Sequence, residues 1–351
     1  MADTPAKSAM RSCAGALALA LAVLLLTVGI SDPASGAPAA DPAAARTADA
    51  TTPQSRARVR ASAAGGSCGR PYRATSPWNR PIGRRPAYDA RSDWHVQGAF
   101  GDQRLSSDPT QYTYPVYSVS ARTPRRAVPF SGYFSDVRRG GRHTFGSSSG
   151  SVRIPLPDNA REAEGSDGQI ILVNRRTGEE WGVWQASRDG AQWRFVNGYH
   201  YNTRWSGVPP RGFGSRGAGV TYLAGLVRPC EIRRGRIDHA LAFAYDFPTG
   251  EHVYPATKSD GSSSDPVDLP EGARLQLDPG LSRRELRGMG CRGACLTIAR
   301  ALQRYGMYVI DKSGRPKIML EYEGTARWRG RLDQNTVKPL ALSRFKLLRL
   351  P

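Results

Sequence analysis

Residues 235–245 read Gly235-Arg236-Ile237-Asp238-His239-Ala240-Leu241-Ala242-Phe243-Ala244-Tyr245. A strand alternates its faces. On that basis Ile237, His239, Leu241, Phe243 and Tyr245 share one face, and Asp238, Ala240, Ala242 and Ala244 share the other. The large set is a core face, and the alanines leave room on the opposite side. Two ionisable groups inside such a run cost several kcal/mol to bury unless they are paired or used, so Asp238 and His239 are candidate functional residues.

Outward from this stretch, apolar residues keep arriving in short runs. Residues 114–119, 169–173, 193–196 and 307–311 each read as a strand, and 38 glycines and 26 prolines punctuate the chain. Short strands separated by turn residues indicate a sandwich or barrel. Residues 174–179 form a turn that makes a hairpin and delivers Glu180 and Trp184. One helix is expected over 297–305, with Ile298, Leu302 and Tyr305 on a common face and Gly306 as its C-cap. The predicted fold is all-β, a β-sandwich of jelly-roll type with one short inserted helix.

The amino terminus has the order of a secretory signal: Lys7 and Arg11, an apolar run from Cys13 to Ile30, then small residues to about position 40. Residues 41–66 lack an apolar period and read as a disordered linker, leaving 67–351 as a single sandwich domain. Without the signal four cysteines remain, Cys68, Cys230, Cys291 and Cys295. In an exported chain an even number indicates disulfides. The expected pairs are Cys291 with Cys295 and Cys68 with Cys230, one of three connectivities. The net charge is +20, and only six of the 50 cations are lysines. Such a field favours polyanions, although arginines scattered over the surface give the same total.

Several segments taken together resemble a family of secreted actinobacterial proteins. These are Ser76-Pro77-Trp78-Asn79, Trp184-Gln185-Ala186, Ala224-Gly225-Leu226-Val227-Arg228, residues 235–241, Tyr254-Pro255-Ala256 and Arg304-Tyr305-Gly306-Met307. The resemblance covers roughly residues 75–312. It implies the concanavalin-like jelly roll shared by many glycoside hydrolases and polysaccharide lyases.

The residues themselves point the same way. Alternation puts Glu180 and Trp184 on one strand face. There an indole stacks on a sugar ring and a carboxylate reaches the glycosidic oxygen, unless the pair is a core tryptophan with an edge glutamate. Glu180 and Asp238 form the candidate carboxylate pair of a glycoside hydrolase, with Trp184 as platform and Gln185 as support. A polysaccharide lyase needs a base such as His239 and a cation for the uronate, supplied by Arg228 or Arg236. Tyr199, His200 and Tyr201 lie in an aromatic-polar segment suited to lining a cleft, and residues 207–219, with Arg211 and Arg216, read as a lip over it.

Other motifs carry less. Gly146-Ser147-Ser148-Ser149-Gly150 matches a nucleophile elbow in letters, but the prolines at 155 and 157 deny Ser148 its following helix. Asp260 and Glu271 hold the first and twelfth positions of a calcium loop, yet Asp265 stands where glycine is required. No metal and no cofactor are expected. The sequence reading is a secreted, monomeric carbohydrate-active protein. A glycoside hydrolase is favoured over a lyase or a non-catalytic binder of an anionic polysaccharide. Export and the lack of a recognition helix weigh against nucleic acid, so none is expected as a partner, nor is a membrane once the signal is removed.

Overall fold

The computed structural model describes residues 68–137, 143–145 and 149–351. The signal and linker expected over 1–66, and Ser148, lie outside these residues. The chain from Ala64 to Pro351 forms one unit.

Most of that unit is built on two sheets. The first runs in the order Val116–Ser118, Ile170–Val173, Glu179–Trp184, Asn197–Asn202, Phe134–Val137, His143–Phe145. The second runs Lys317–Ile318, Leu241–Tyr245, Met307–Lys312, Arg274–Leu277, Phe345–Leu347. The expected hairpin is present, with Ile170–Val173 antiparallel to Glu179–Trp184. Both sheets are mixed: Val116–Ser118 with Ile170–Val173, Asn197–Asn202 with Phe134–Val137, and Leu241–Tyr245 with Met307–Lys312 are parallel pairs.

Alternating burial explains the continuous apolar runs. Ile171 and Val173 join a cluster with Tyr199, Tyr201, Ala242, Ala244, Tyr308 and Ile310, which draws on both sheets. Ile170 and Leu172 face the other way, against Phe130, Ile154, Trp181 and Phe195. Here a two-stranded antiparallel ribbon of Arg125–Phe130 and Gly150–Pro155 covers the first sheet. Behind the second sheet, Leu241, Phe243 and Tyr245 pack on helix residues Phe100, Leu286, Ile298 and Leu302. Strands covered on both faces are apolar at every position. The large-residue core face predicted for Leu241–Tyr245 is thus observed, and the alanine face is buried as well.

Two details differ from the sequence reading. The strand begins at Leu241, so Asp238 and His239 precede it, and alternation does not govern where they point. The room beside the alanines is filled by protein. Gly225, at φ +71°, lies so close that a Cβ would sit 2.4 Å from the Ala242 nitrogen and 2.8 Å from the Trp78 ring. Trp78 in turn packs edge-on against Tyr308.

Four α-helices occur among the described residues: α1 (Ser92–Phe100), α2 (Pro229–Arg233), α3 (Arg283–Gly288) and α4 (Ala294–Arg304). Only α4 was expected. Its cap is as predicted, with Gly306 at φ +66° donating to the Ala301 and Leu302 carbonyls. α1 carries a glycine because Val267 presses on it, and a Cβ at Gly98 would stand 2.0 Å from a Val267 methyl. Both expected disulfides are present. Among the described residues no helix is long and apolar enough to cross a membrane.

Candidate functional site

Glu180 lies on the inter-sheet face of its strand and has no exposed surface. Its Oε2 accepts from the Tyr72 hydroxyl at 2.8 Å, and its Oε1 from the Tyr199 hydroxyl at 2.7 Å and the Leu223 N–H at 3.2 Å. Burial pushes its carboxyl upward, while the three donors pull it back. The Tyr199 hydroxyl also accepts from the Tyr222 N–H at 2.6 Å. Reaching Glu180 would require displacing two tyrosines. Tyr199 and Tyr201 are core residues on a strand and do not line a cleft; Tyr201 is buried against Trp205 and Phe213. His200 faces the opposite way, stacked on Trp181, with Nδ1 2.9 Å from Asp136 Oδ1.

Asp238 has separate partners. Its Oδ2 is 3.1 Å from Arg234 Nη2 and 2.9 Å from Arg236 Nε. This placement does not support a groove pair with Glu180. Trp184, the expected groove floor, donates from Nε1 to Asp167 Oδ1 at 3.3 Å.

His239 is buried in a network that the sequence reading lacked, because it includes Glu231. Glu231 Oε1 accepts from Arg228 Nη2 at 2.6 Å and from His239 Nε2 at 2.9 Å, and its Oε2 accepts from the Arg228 N–H at 3.0 Å. His239 Nδ1 donates to the Ala240 carbonyl at 2.8 Å. Although burial opposes its charge, His239 and Arg228 together hold the Glu231 carboxyl down at about 2. With both ring nitrogens engaged and 2% of its surface exposed, His239 is not free to act as a lyase base. Arg228 is likewise committed, and Arg236 is exposed but ion-paired. The supposed lip is interior at Arg216, which donates to the Thr221, Tyr222 and Ala224 carbonyls.

The open concavity lies elsewhere. A cleft of about 730 Å³ is lined by residues including Arg161, Glu162, Glu164, Gln185 and Tyr322. Of the residues singled out from sequence, Gln185 alone reaches it. Gln185 takes φ +51°, a conformation that costs a non-glycine residue on the order of 1–3 kcal/mol. It is fixed by its N–H donating to Asp167 at 2.8 Å, and the next N–H, of Ala186, donates to Gly168 at 3.0 Å. Tyr322 donates to Glu164 Oε1 at 2.8 Å; burial, and then Glu164, push its phenol up to about 12.

Tyr112 does not line the cleft but lies against Gly165 of its wall, and it is also at positive φ, +51°. Its ring packs over Gly165, where a Cβ would meet it at 3.0 Å, and its N–H donates to the Glu164 carbonyl at 3.1 Å. Yet 44% of the residue is exposed. Lys317 lies beneath, 5.7 Å from the ring centroid, with Nζ donating to the Tyr112 carbonyl at 2.9 Å. Burial brings its ammonium down to about 8. No local pattern links Tyr112, 164, 185 and 322, since they come from four separate segments of the chain.

No family model, curated protein or solved structure matches this chain.

Proposed function

We propose that the chain is an exported carbohydrate-active protein that grips a polysaccharide in the cleft beside Tyr112. The observation that carries this reading is the exposed Tyr112 ring held in a strained backbone conformation beside an open, polar concavity. An aromatic face covers the apolar side of a pyranose. Glu162, Glu164, Gln185, Arg161 and Tyr322 supply the hydrogen bonds that fix hydroxyl groups. Tyr322, with its phenol near 12, serves as a donor rather than as a base. Two disulfides support export. The β-rich fold meets the coarse expectation of many strands and few helices, while its three parallel pairs are not shared by an antiparallel jelly roll.

Glycoside hydrolysis is the second reading, favoured by two carboxylates, Glu162 and Glu164, in this cleft. The test is retention of the purified protein in gels containing neutral or uronate polysaccharides, with reducing ends assayed in parallel. Retention that drops about 2–10-fold in Tyr112→Ala, in proportion to a lost aromatic contact of ~0.5–1.5 kcal/mol, supports recognition. New reducing ends that disappear in Glu164→Gln support hydrolysis. Retention by no polysaccharide, or retention unaffected by Tyr112→Ala, overturns the proposal.

A further inference from the structure

Away from the cleft, three carboxylates converge from separate parts of the chain. One oxygen each of Asp260, Glu271 and Asp311 lies within 4.8 Å of the other two. Glu271 ends the strand Pro270–Glu271, its carbonyl accepting from Val253, while the next N–H, of Gly272, donates to Val309. Asp311 belongs to Met307–Lys312, paired with Ala244 of the neighbouring strand. Asp260 comes from the loop before Pro270–Glu271 and is exposed, whereas Asp311 is half-buried. Two of the three groups are therefore mounted on sheet strands, and the third closes over them from the solvent side.

Acidic clusters are common, and this one is distinguished by Glu271. The residue has no exposed surface, and neither carboxylate oxygen has a hydrogen-bond partner of good geometry. Its polar neighbours in the cluster are Asp311 and Asp260, both acids, and of these only the Asp260 backbone favours its charged form. An unpaired buried carboxylate costs several kcal/mol or more, so such groups are paired or coordinate a metal. The backbone also gives way here. A Cβ on Gly217 would stand 2.4 Å from Asp260 Oδ1 and 2.8 Å from Glu271 Oε1, so any larger residue would intrude among the carboxylates. The nearby cation, Arg216, spends its Nη1 and Nη2 donors on the Thr221, Tyr222 and Ala224 carbonyls.

We propose that Asp260, Glu271 and Asp311 form a binding site for a hard divalent cation, calcium in preference to magnesium. The donor set is oxygen only, with no histidine or thiolate to favour zinc. Three oxygens within 4.8 Å of one another are close enough to share one cation, and calcium, which holds oxygens at about 2.3–2.6 Å in a flexible geometry, accepts an irregular set of this kind. Magnesium demands near-ideal octahedral geometry and dehydrates reluctantly, which suits a site of three carboxylates from separate segments less well. Carbonyls and water complete the six to eight ligands that calcium takes. Asp260 and Glu271 do occupy the first and twelfth positions of a calcium-loop spacing, but the third acid comes from a strand distant in sequence. The site is thus not the helix-flanked loop that the spacing brings to mind. The competing state is a cluster that binds protons instead, with Glu271 pushed up to about 10 by burial and then by Asp311 and Asp260.

The test is titration calorimetry of the chelator-stripped full chain with calcium, magnesium and zinc chlorides, supported by elemental analysis after dialysis. The expected result is one calcium per chain, with affinity falling at least tenfold in Glu271→Gln and in Asp311→Asn, and unchanged in the exposed control Asp102→Asn. Asp260→Asn, altering an exposed loop residue, gives the same readout if the buried variants fail to fold. No stoichiometric calcium, calcium binding unaltered by Asp260→Asn, or tighter binding of magnesium or zinc overturns the assignment.

Discussion

Glu231 Oε1 lies 2.9 Å from His239 Nε2 and 2.6 Å from Arg228 Nη2, with Glu231 and His239 0% and 2% exposed. Removing the carboxylate charge leaves Arg228 buried without its counter-ion and weakens the contact to His239. Glu231→Gln is expected to cost about 3–5 kcal/mol, the usual penalty for breaking a buried pair from one side. The pH dependence follows from the direction of the shift. Glu231 has a folded value of about 2 against 4.5 for the free group, so the folded state binds fewer protons. Its contribution is complete above about pH 4.5 and is lost as pH falls toward 2. Urea denaturation midpoints of wild type and Glu231→Gln, measured at a series of pH values, should therefore converge as pH is lowered; a constant difference down to pH 2 would contradict the assignment.

Cys68–Cys230 spans 162 positions and Cys291–Cys295 spans four. Loop-closure entropy makes the first worth up to about 5 kcal/mol and the second about 2. The first also holds the start of the described chain against α2, where Arg234 donates to the Cys68 carbonyl and Arg228 to that of Gly69. Cys68→Ser should lower Tm clearly more than Cys291→Ser in non-reducing calorimetry. Equal losses would show that loop length is not what governs their effect.

The apolar code was legible where burial acts along a strand. Residues 170–173 and 241–245 announced strands because covering on both faces demands apolar residues throughout, and Gly306 announced the end of α4 through its positive φ. Alternation failed beyond Leu241, since only backbone pairing enforces it and Asp238 and His239 lie outside the ladder. α1 stayed hidden because its Gly98 answers to Val267, a tertiary neighbour no local pattern reveals. The cleft was hidden for a similar reason, with Tyr112 and Tyr322 more than 200 positions apart.

A net charge of +20 should make association with a polyanion depend on salt. Retention on a uronate polysaccharide is expected to fall steeply from about 0.05 to about 0.5 M salt, as the screening length shortens about threefold. Stacking on Tyr112 is neutral, so retention on an uncharged polysaccharide should change little. Equal salt dependence on both supports would mean that the charge plays no part in recognition.

Gly225 and Gly235 provide a matched pair for separating backbone strain from close packing. Both adopt positive φ, +71° and +69°. A Cβ at Gly235 meets nothing within 4 Å, so Gly235→Ala pays only for the left-handed conformation, about 1–2 kcal/mol. At Gly225 the Cβ would stand 2.4 Å from the Ala242 nitrogen, 2.8 Å from the Leu241 carbonyl carbon and 2.8 Å from the Trp78 ring. The first two are backbone atoms of a central strand, and that same Ala242 N–H donates to the Gly225 carbonyl at 3.0 Å. Relief therefore requires moving the ladder or the indole, which adds a further ~1–3 kcal/mol of overpacking. Gly225→Ala should consequently lose about 2–5 kcal/mol in urea denaturation, and visibly more than Gly235→Ala. If the two variants are equally stable, segment 224–228 does not lie against Leu241–Tyr245 as described, and the alanine face of that strand is open after all.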